Sequence, residues 1–315
     1  MKVLVSDPLS DVGIEIFKNT PGIEVDVKTD LSPTELEDII GVYHGLSIRS
    51  KTRVTENLIA KAKNLKVVGR AGIGLDNVDI PAATKANIAV MNTPHGNAIT
   101  TAEHAIAMIM ALSRHIPKAT ASLKNGQWMK KTLKGREIYN KTLGLVGIGN
   151  IGSIVADRAM GLRMKVMGCD PYKSREAIQN LGIRPASFDE ILAESDYISI
   201  HTPKTPETTN LFNKETLYRM KPGAMLINCA RGGIINEEDL HEALTSGHLG
   251  GAALDVFATE PPGKICLMDL DNFICTCHLG ASTLEAQENV ARDVALQMVD
   301  YLLTGKAPNI VNLKN

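Results

Sequence analysis

Short apolar runs alternate with stretches of helical spacing along almost the whole chain. Val3, Leu4 and Val5 predict a strand over 2–6, and comparable runs predict strands over 23–27, 45–48 and 66–69. Between them, apolar positions three and four apart predict helices over 12–17 and 57–63. A further helix opens at Ser32-Pro33-Thr34-Glu35, where a hydroxyl cap, a first-turn proline and a glutamate three residues on make a capping box. A strand and loop follow at 90–95. The helix expected over 100–115 carries Ala102, Ala105, Ile106, Ile109, Met110 and Leu112, apolar almost all round, and should be buried between elements. Farther on, helices are expected over 188–193, 214–220, 237–245 and 285–303. Strands are expected over 197–200, 224–228, 250–254, 273–276 and 309–313. Strands alternating with helices describe an α/β protein with parallel sheets.

The most specific stretch lies at 141–170. A β-branched and apolar run over 142–146 leads into Gly147, Gly149 and Gly152 at GxGxxG spacing. Ile151, Ile154, Val155, Ala159 and Leu162 then repeat at helical intervals, Gly161 closes the helix, and a second strand over 164–169 delivers Asp170. Strand, glycine turn, helix, strand and acid make a complete βαβ unit. In such a unit the first glycine permits the tight turn, the second lets backbone approach a pyrophosphate, and the third lets helix pack on strand. Amides and dipole at the helix start favour phosphate. Asp170 would accept hydrogen bonds from both adenosine ribose hydroxyls and repel a 2′-phosphate, which selects NAD over NADP.

Other polar residues gather where apolar strand bodies stop, the end at which open α/β sheets bind ligands. Arg49 and Arg70 stand at two such ends, beside the small turn at 71–74, and could dock an anion or simply pair with surface glutamates. Thr202, Arg231, Asp255 and His278 follow four later strands and should share one rim, with Glu260 in the loop beyond Asp255. His104 and His115 fit hydrogen-bonded core histidines. Trp128, beside Lys130 and Lys131, hints at a subunit contact.

Composition narrows the function classes. With 44% apolar and 22% charged residues over 315 positions, the chain can build two domains with separate cores. Its 34 basic and 35 acidic side chains give a formal charge of -1, which argues against nucleic acid or an anionic membrane surface as partner. No stretch approaches the length of a membrane span or a signal peptide. The five cysteines read as free thiols of a cytoplasmic protein, and Cys275, Cys277 and His278 lack a second ligand pair, so no metal is expected.

Taken in order, RSKT at Arg49, VVGRAGIGLDNVD from Val67, MNTPHGN from Met91, GLVGIGNIG from Gly144, INCARGG from Ile227, ALDVFATEPP from Ala253 and HLGAST from His278 resemble the D-2-hydroxyacid dehydrogenases over essentially the whole chain. The resemblance implies two Rossmann-like or flavodoxin-like domains. A cofactor domain over 98–287 would be inserted into a substrate domain of 1–97 and 288–315, with an active site in a closing cleft. It matches the family's catalytic residues to Arg231, Glu260 and His278. It places NAD against Asn150, Ile151, Asp170, Thr202, Cys229, Ala230, Arg231, Asp255 (at the carboxamide), His278, Gly280 and Ala281. It places the substrate carboxylate on Gly72, Ile73 and Gly74, and a phosphate on Arg49 and Arg70, which implies a phosphorylated 2-hydroxy acid. Homodimers or higher homo-oligomers are implied, with Lys130 or Lys131 reaching a neighbour's site. Reductases of unphosphorylated keto acids, D-lactate-type enzymes and NAD-sensing corepressors share the pattern. The chain departs from it at 262–266, where relatives often carry a longer loop, and at Cys277, where proline usually precedes the histidine. It also stops at Asn315, where long relatives continue into regulatory modules, so a short form or a truncated chain is expected, without feedback through such a module.

Overall fold

The computed structural model describes residues 1–313, and the chain divides into two compact units, Met1–Asn97 with Ala281–Asn315, and Ala98–Gly280. In the first unit five strands, β1 (Lys2–Val5), β2 (Glu24–Val27), β3 (Gly45–Ile48), β4 (Val67–Arg70) and β5 (Ala89–Asn92), form a parallel sheet in the order 2-1-3-4-5. Parallel strands need crossovers, and each connection supplies a helix. The predicted capping box is present: Glu35 N–H donates to Ser32 Oγ at 3.3 Å, and Ser32 N–H to Glu35 Oε2 at 2.8 Å. The 21-residue helix Leu284–Thr304 closes one face of the sheet. Its Val290, Val294, Met298 and Leu302 recur every fourth residue and pack with Val3, Val5, Val67 and Ala89.

The second unit holds seven parallel strands: β6 (Thr142–Val146), β7 (Lys165–Cys169), β8 (Arg184–Pro185), β9 (Tyr197–Ile200), β10 (Met225–Asn228), β11 (Gly251–Leu254) and β12 (Phe273–Cys275). Their order, 12-11-10-9-6-7-8, reverses between β6 and β9, the arrangement of a doubly wound dinucleotide fold. Strand bodies are buried on both faces. Leu143, Leu145, Val155 and Ala159 belong to one cluster, and Val146, Ile198, Ile200 and Leu226 to the other.

Several expectations are corrected. The helix predicted over 100–115 is Ala98–Ser113, and it is not buried all round: Ile99, Glu103, Ala107 and Met110 form an exposed stripe. The second boundary between units falls at 280/281, seven residues before 287/288, because the loop after His278 already leads to the cap of the last helix. No strand forms over 309–313; Ile310 makes a single bridge to Met91. Helices Ile80–Lys85 and Arg175–Gln179 and the two-residue β8 are too short to leave a periodic signal. The five cysteines are unpaired with one another, and no helix among the described residues is long and apolar enough to cross a membrane.

Candidate active site

The glycine turn follows β6 and faces the loop after β9, so the two flank the switch point of the sheet. Gly147 has φ +95°, and a Cβ there would lie 2.7 Å from the His201 carbonyl oxygen. A Cβ on Gly152 would lie 2.2 Å from the Gly147 oxygen, so only hydrogen fits between helix and turn. At Gly149 the same test meets open space within 4 Å, leaving room for a ligand at the start of helix Asn150–Gly161. Turn and helix are tied to the second strand: Gly147 N–H donates to the Cys169 oxygen at 2.9 Å, and Ile148 N–H to Asp170 Oδ2 at 2.9 Å. The other Asp170 oxygen accepts from Tyr172 N–H at 2.9 Å. Across the switch point Thr202 Oγ1 is buried without a hydrogen-bond partner, which such a group rarely tolerates unless a ligand completes it. His201 beside it donates to or accepts from Ser199 Oγ at 2.9 Å, and burial lowers its pKa to about 4, so the ring is neutral at pH 7. Open space over Gly149, the anchored Asp170 and the unsatisfied Thr202 hydroxyl together fit a dinucleotide.

Strands β10, β11 and β12 lie side by side, and the polar residues that end them come together. After β10, Asn228 holds the bend with both side-chain atoms, its Oδ1 accepting from Ala230 N–H at 3.0 Å and its Nδ2 donating to the Arg231 oxygen at 2.9 Å. Arg231 Nη1 donates to the Ala230 oxygen at 2.7 Å. This bend is pressed against the loop after β11: a Cβ on Gly232 would overlap the Phe257 carbonyl. Phe257 N–H in turn donates to Glu260 Oε1 at 3.0 Å, which leaves Oε2 to accept from His278 Nδ1 at 2.7 Å. A carboxylate only accepts, so Nδ1 carries the proton and the neutral ring keeps its lone pair at Nε2. His278 is half exposed.

Asp255 follows β11 with its carboxylate held among backbone and side-chain donors. Its side chain is 1% exposed. Its oxygens accept from Leu279 N–H (2.7 Å), Gly280 N–H (2.8 Å) and the Thr276 hydroxyl (2.5 Å), and His104 Nε2 lies 3.4 Å away. Burial raises its pKa, but hydrogen bonds from His104, Thr276 and the two amides outweigh that and hold it below the usual value. Asp255 therefore organises the 278–280 loop. Asn228 did not stand out in the sequence, since a polar residue inside an apolar strand has the same pattern whatever it touches, whereas His104 is the hydrogen-bonded histidine the sequence suggested, with Thr276 as its partner.

In the first unit Ile48 pairs with Arg70, so Arg49 and Arg70 end adjacent strands. Arg49 N–H donates to Asp7 Oδ2 at 2.6 Å. The Arg70 guanidinium folds over the next turn, where a Cβ on Gly72 (φ +141°) would clash with it. Gly72 N–H is taken by Thr93 Oγ1 at 2.8 Å, so this amide shapes the turn, leaving Ile73 and Gly74 as the partly exposed backbone of the three.

Residues 106–280 match the D-isomer specific 2-hydroxyacid dehydrogenase, NAD binding domain. The chain belongs to this family. A Synechocystis relative, D-3-phosphoglycerate dehydrogenase, is 52% identical over 312 residues, 99% of this chain and 56% of that protein. The chain thus spans little more than half the length of that curated relative. Among solved structures, a protein from Thermus thermophilus superposes with a TM-score of 0.91 at 34% identity, covering 99% of this chain and all of that one. The NAD-dependent formate dehydrogenase of Staphylococcus aureus, solved with NAD, gives 0.86 at 30% identity over the full length of both. Within the family, the NAD-binding match covers the turn, Asp170 and the three strand ends described above.

Proposed function

We propose that this family member oxidises D-3-phosphoglycerate to 3-phosphohydroxypyruvate with NAD, the opening step of the phosphorylated route to serine. The observation that carries the chemistry is the 2.7 Å hydrogen bond between His278 and Glu260, beside the Arg231 bend in a dinucleotide fold. NAD, when bound, supplies the hydride acceptor. Glu260 holds the Nδ1 proton, so Nε2 of His278 is the base that takes the substrate hydroxyl proton, and the imidazolium formed is steadied by the carboxylate. Arg231 binds the substrate carboxylate and favours the carbonyl oxygen as charge develops there. Gly147, Gly149, Asn150, Ile151 and Gly152 hold the pyrophosphate at the helix start, and Asp170 takes the ribose hydroxyls. Thr202, Cys229, Ala230, Gly280 and Ala281 complete the contacts on the nicotinamide side. Asp255 would meet the carboxamide while fixing the loop amides beside it.

Arg49 and Arg70 would bind the substrate phosphate, with Ile73 and Gly74 offering amides to the carboxylate. The pairing of two arginines at the ends of adjacent strands supports this over an unphosphorylated acid. Comparison of D-3-phosphoglycerate with D-glycerate, following NADH absorbance, tests it. Arg49→Ala and Arg70→Ala should each raise KM for the phosphorylated acid about tenfold or more, in line with ~1.5–3 kcal/mol for a charged hydrogen bond. Unchanged KM values would turn the assignment toward an unphosphorylated hydroxy acid, and no NADH from any 2-hydroxy acid would favour an NAD-sensing binding protein. The protein is read as cytoplasmic and as a homodimer or higher homo-oligomer, joined through the 98–139 stretch, where Ile116, Leu123, Trp128 and Tyr139 stand exposed. Lys130 or Lys131 would then reach the neighbour's site.

A further inference from the structure

We propose that His104 is a positioning residue for the catalytic imidazole, acting through Thr276 and Asp255. His278 has φ +56°, a backbone conformation that costs a non-glycine residue ~1 kcal/mol or more and persists only where its surroundings hold it. Those surroundings converge on Asp255. Its carbonyl accepts from His278 N–H at 2.9 Å, and its carboxylate accepts from the next two amides, Leu279 and Gly280. A carboxylate as buried as this one can hold the turn only while its remaining lone pairs are also met.

Thr276 meets one of them by donating its hydroxyl proton to Oδ1 at 2.5 Å. A hydroxyl has a single proton, so toward His104 Nε2, 3.0 Å away, the same oxygen must accept. Nε2 therefore carries hydrogen, and it lies close enough to Asp255 Oδ1, at 3.4 Å, to share it. The chain of donors runs from His104 to Thr276 to Asp255, which also accepts from three consecutive amides of the segment carrying His278. His104 sits on helix Ala98–Ser113, which packs against β11 and β12, so the helix fixes the imidazole from outside the loop it steadies. Without His104, Thr276 is able to rotate its proton away, and Asp255 loses the geometry that keeps residues 278–280 in register.

The catalytic side of this proposal rests on the dehydrogenase reading; the structural side does not. His104→Ala and His104→Gln test both, the glutamine keeping an N–H donor near the Nε2 position. Amide exchange of the protein without ligands, read at Leu279 and Gly280, should quicken about tenfold or more in His104→Ala and return to within about threefold of the parent in His104→Gln. In parallel, kcat for NADH formation should fall about tenfold in the alanine variant and recover in the glutamine variant. Unchanged exchange at the two amides, or equal damage by both substitutions, would overturn the proposal. A parent protein that makes no NADH would count against the dehydrogenase reading alone, since the exchange measurement still decides whether His104 holds the loop.

Discussion

Asp170 shows how one side chain can hold a turn and remain available to a ligand. Its two oxygens each accept one backbone amide, from Ile148 and Tyr172, and a carboxylate has about four lone-pair sites, so capacity for two ribose hydroxyls remains. Removing it should weaken NAD and also relax the discrimination against a 2′-phosphate. Asp170→Ala is expected to raise KM for NAD about tenfold while the preference for NAD over NADP narrows, measured as the ratio of kcat/KM for the two cofactors. An unchanged ratio would remove Asp170 from the ribose. At this scale the sequence was legible wherever a polar residue broke an apolar run at its carboxyl end, as Arg231 and His278 do. It was silent where a polar residue sits within the run, as Asn228 does, because its partners come from elsewhere in the chain.

Between residues and domains, the turn and its helix behave as one element whose three glycines do different work. Gly152 faces backbone and Gly149 faces open space, so the same substitution should act on different properties. Gly152→Ala is expected to destabilise the protein by ~1–3 kcal/mol, the usual cost of overpacking, and to weaken NAD as a consequence. Gly149→Ala should leave the melting temperature nearly unchanged and still lower NAD affinity, because the new methyl occupies the space over the helix start. Thermal unfolding with NAD titration separates the two, and equal destabilisation by both would contradict this division of roles. The βαβ unit was readable in advance because glycine spacing, strand and helix periodicity and the terminal acid agree with one another. Helix Ala98–Ser113 was misjudged because its apolar stripe continues onto an exposed face, through Ile99 and Met110, and periodicity does not distinguish a core from a surface that could meet another subunit.

For the molecule as a whole, that exposed face has a measurable consequence. Trp128 is 77% exposed, and Leu123 and Ile116 lie in the same stretch of chain. If this region joins two copies, Leu123→Asp with Trp128→Lys should shift the sedimenting species toward the mass of a single 34.0 kDa chain. A parent protein that already sediments as one chain would refute the proposed assembly. The order in which the two units can be completed also follows from the path of the chain. The first sheet finishes at Asn92, but Val290, Val294 and Met298, which cover one of its faces, come about 200 residues later. At ~5–20 residues per second of synthesis, that apolar surface waits roughly 10–40 s for its cover on the ribosome. The inserted unit, contiguous from Ala98 to Gly280, emerges whole during that interval. A nascent chain of this design thus presents chaperones with an uncovered sheet beside a unit that has all of its own strands, until helix Leu284–Thr304 emerges to complete that sheet.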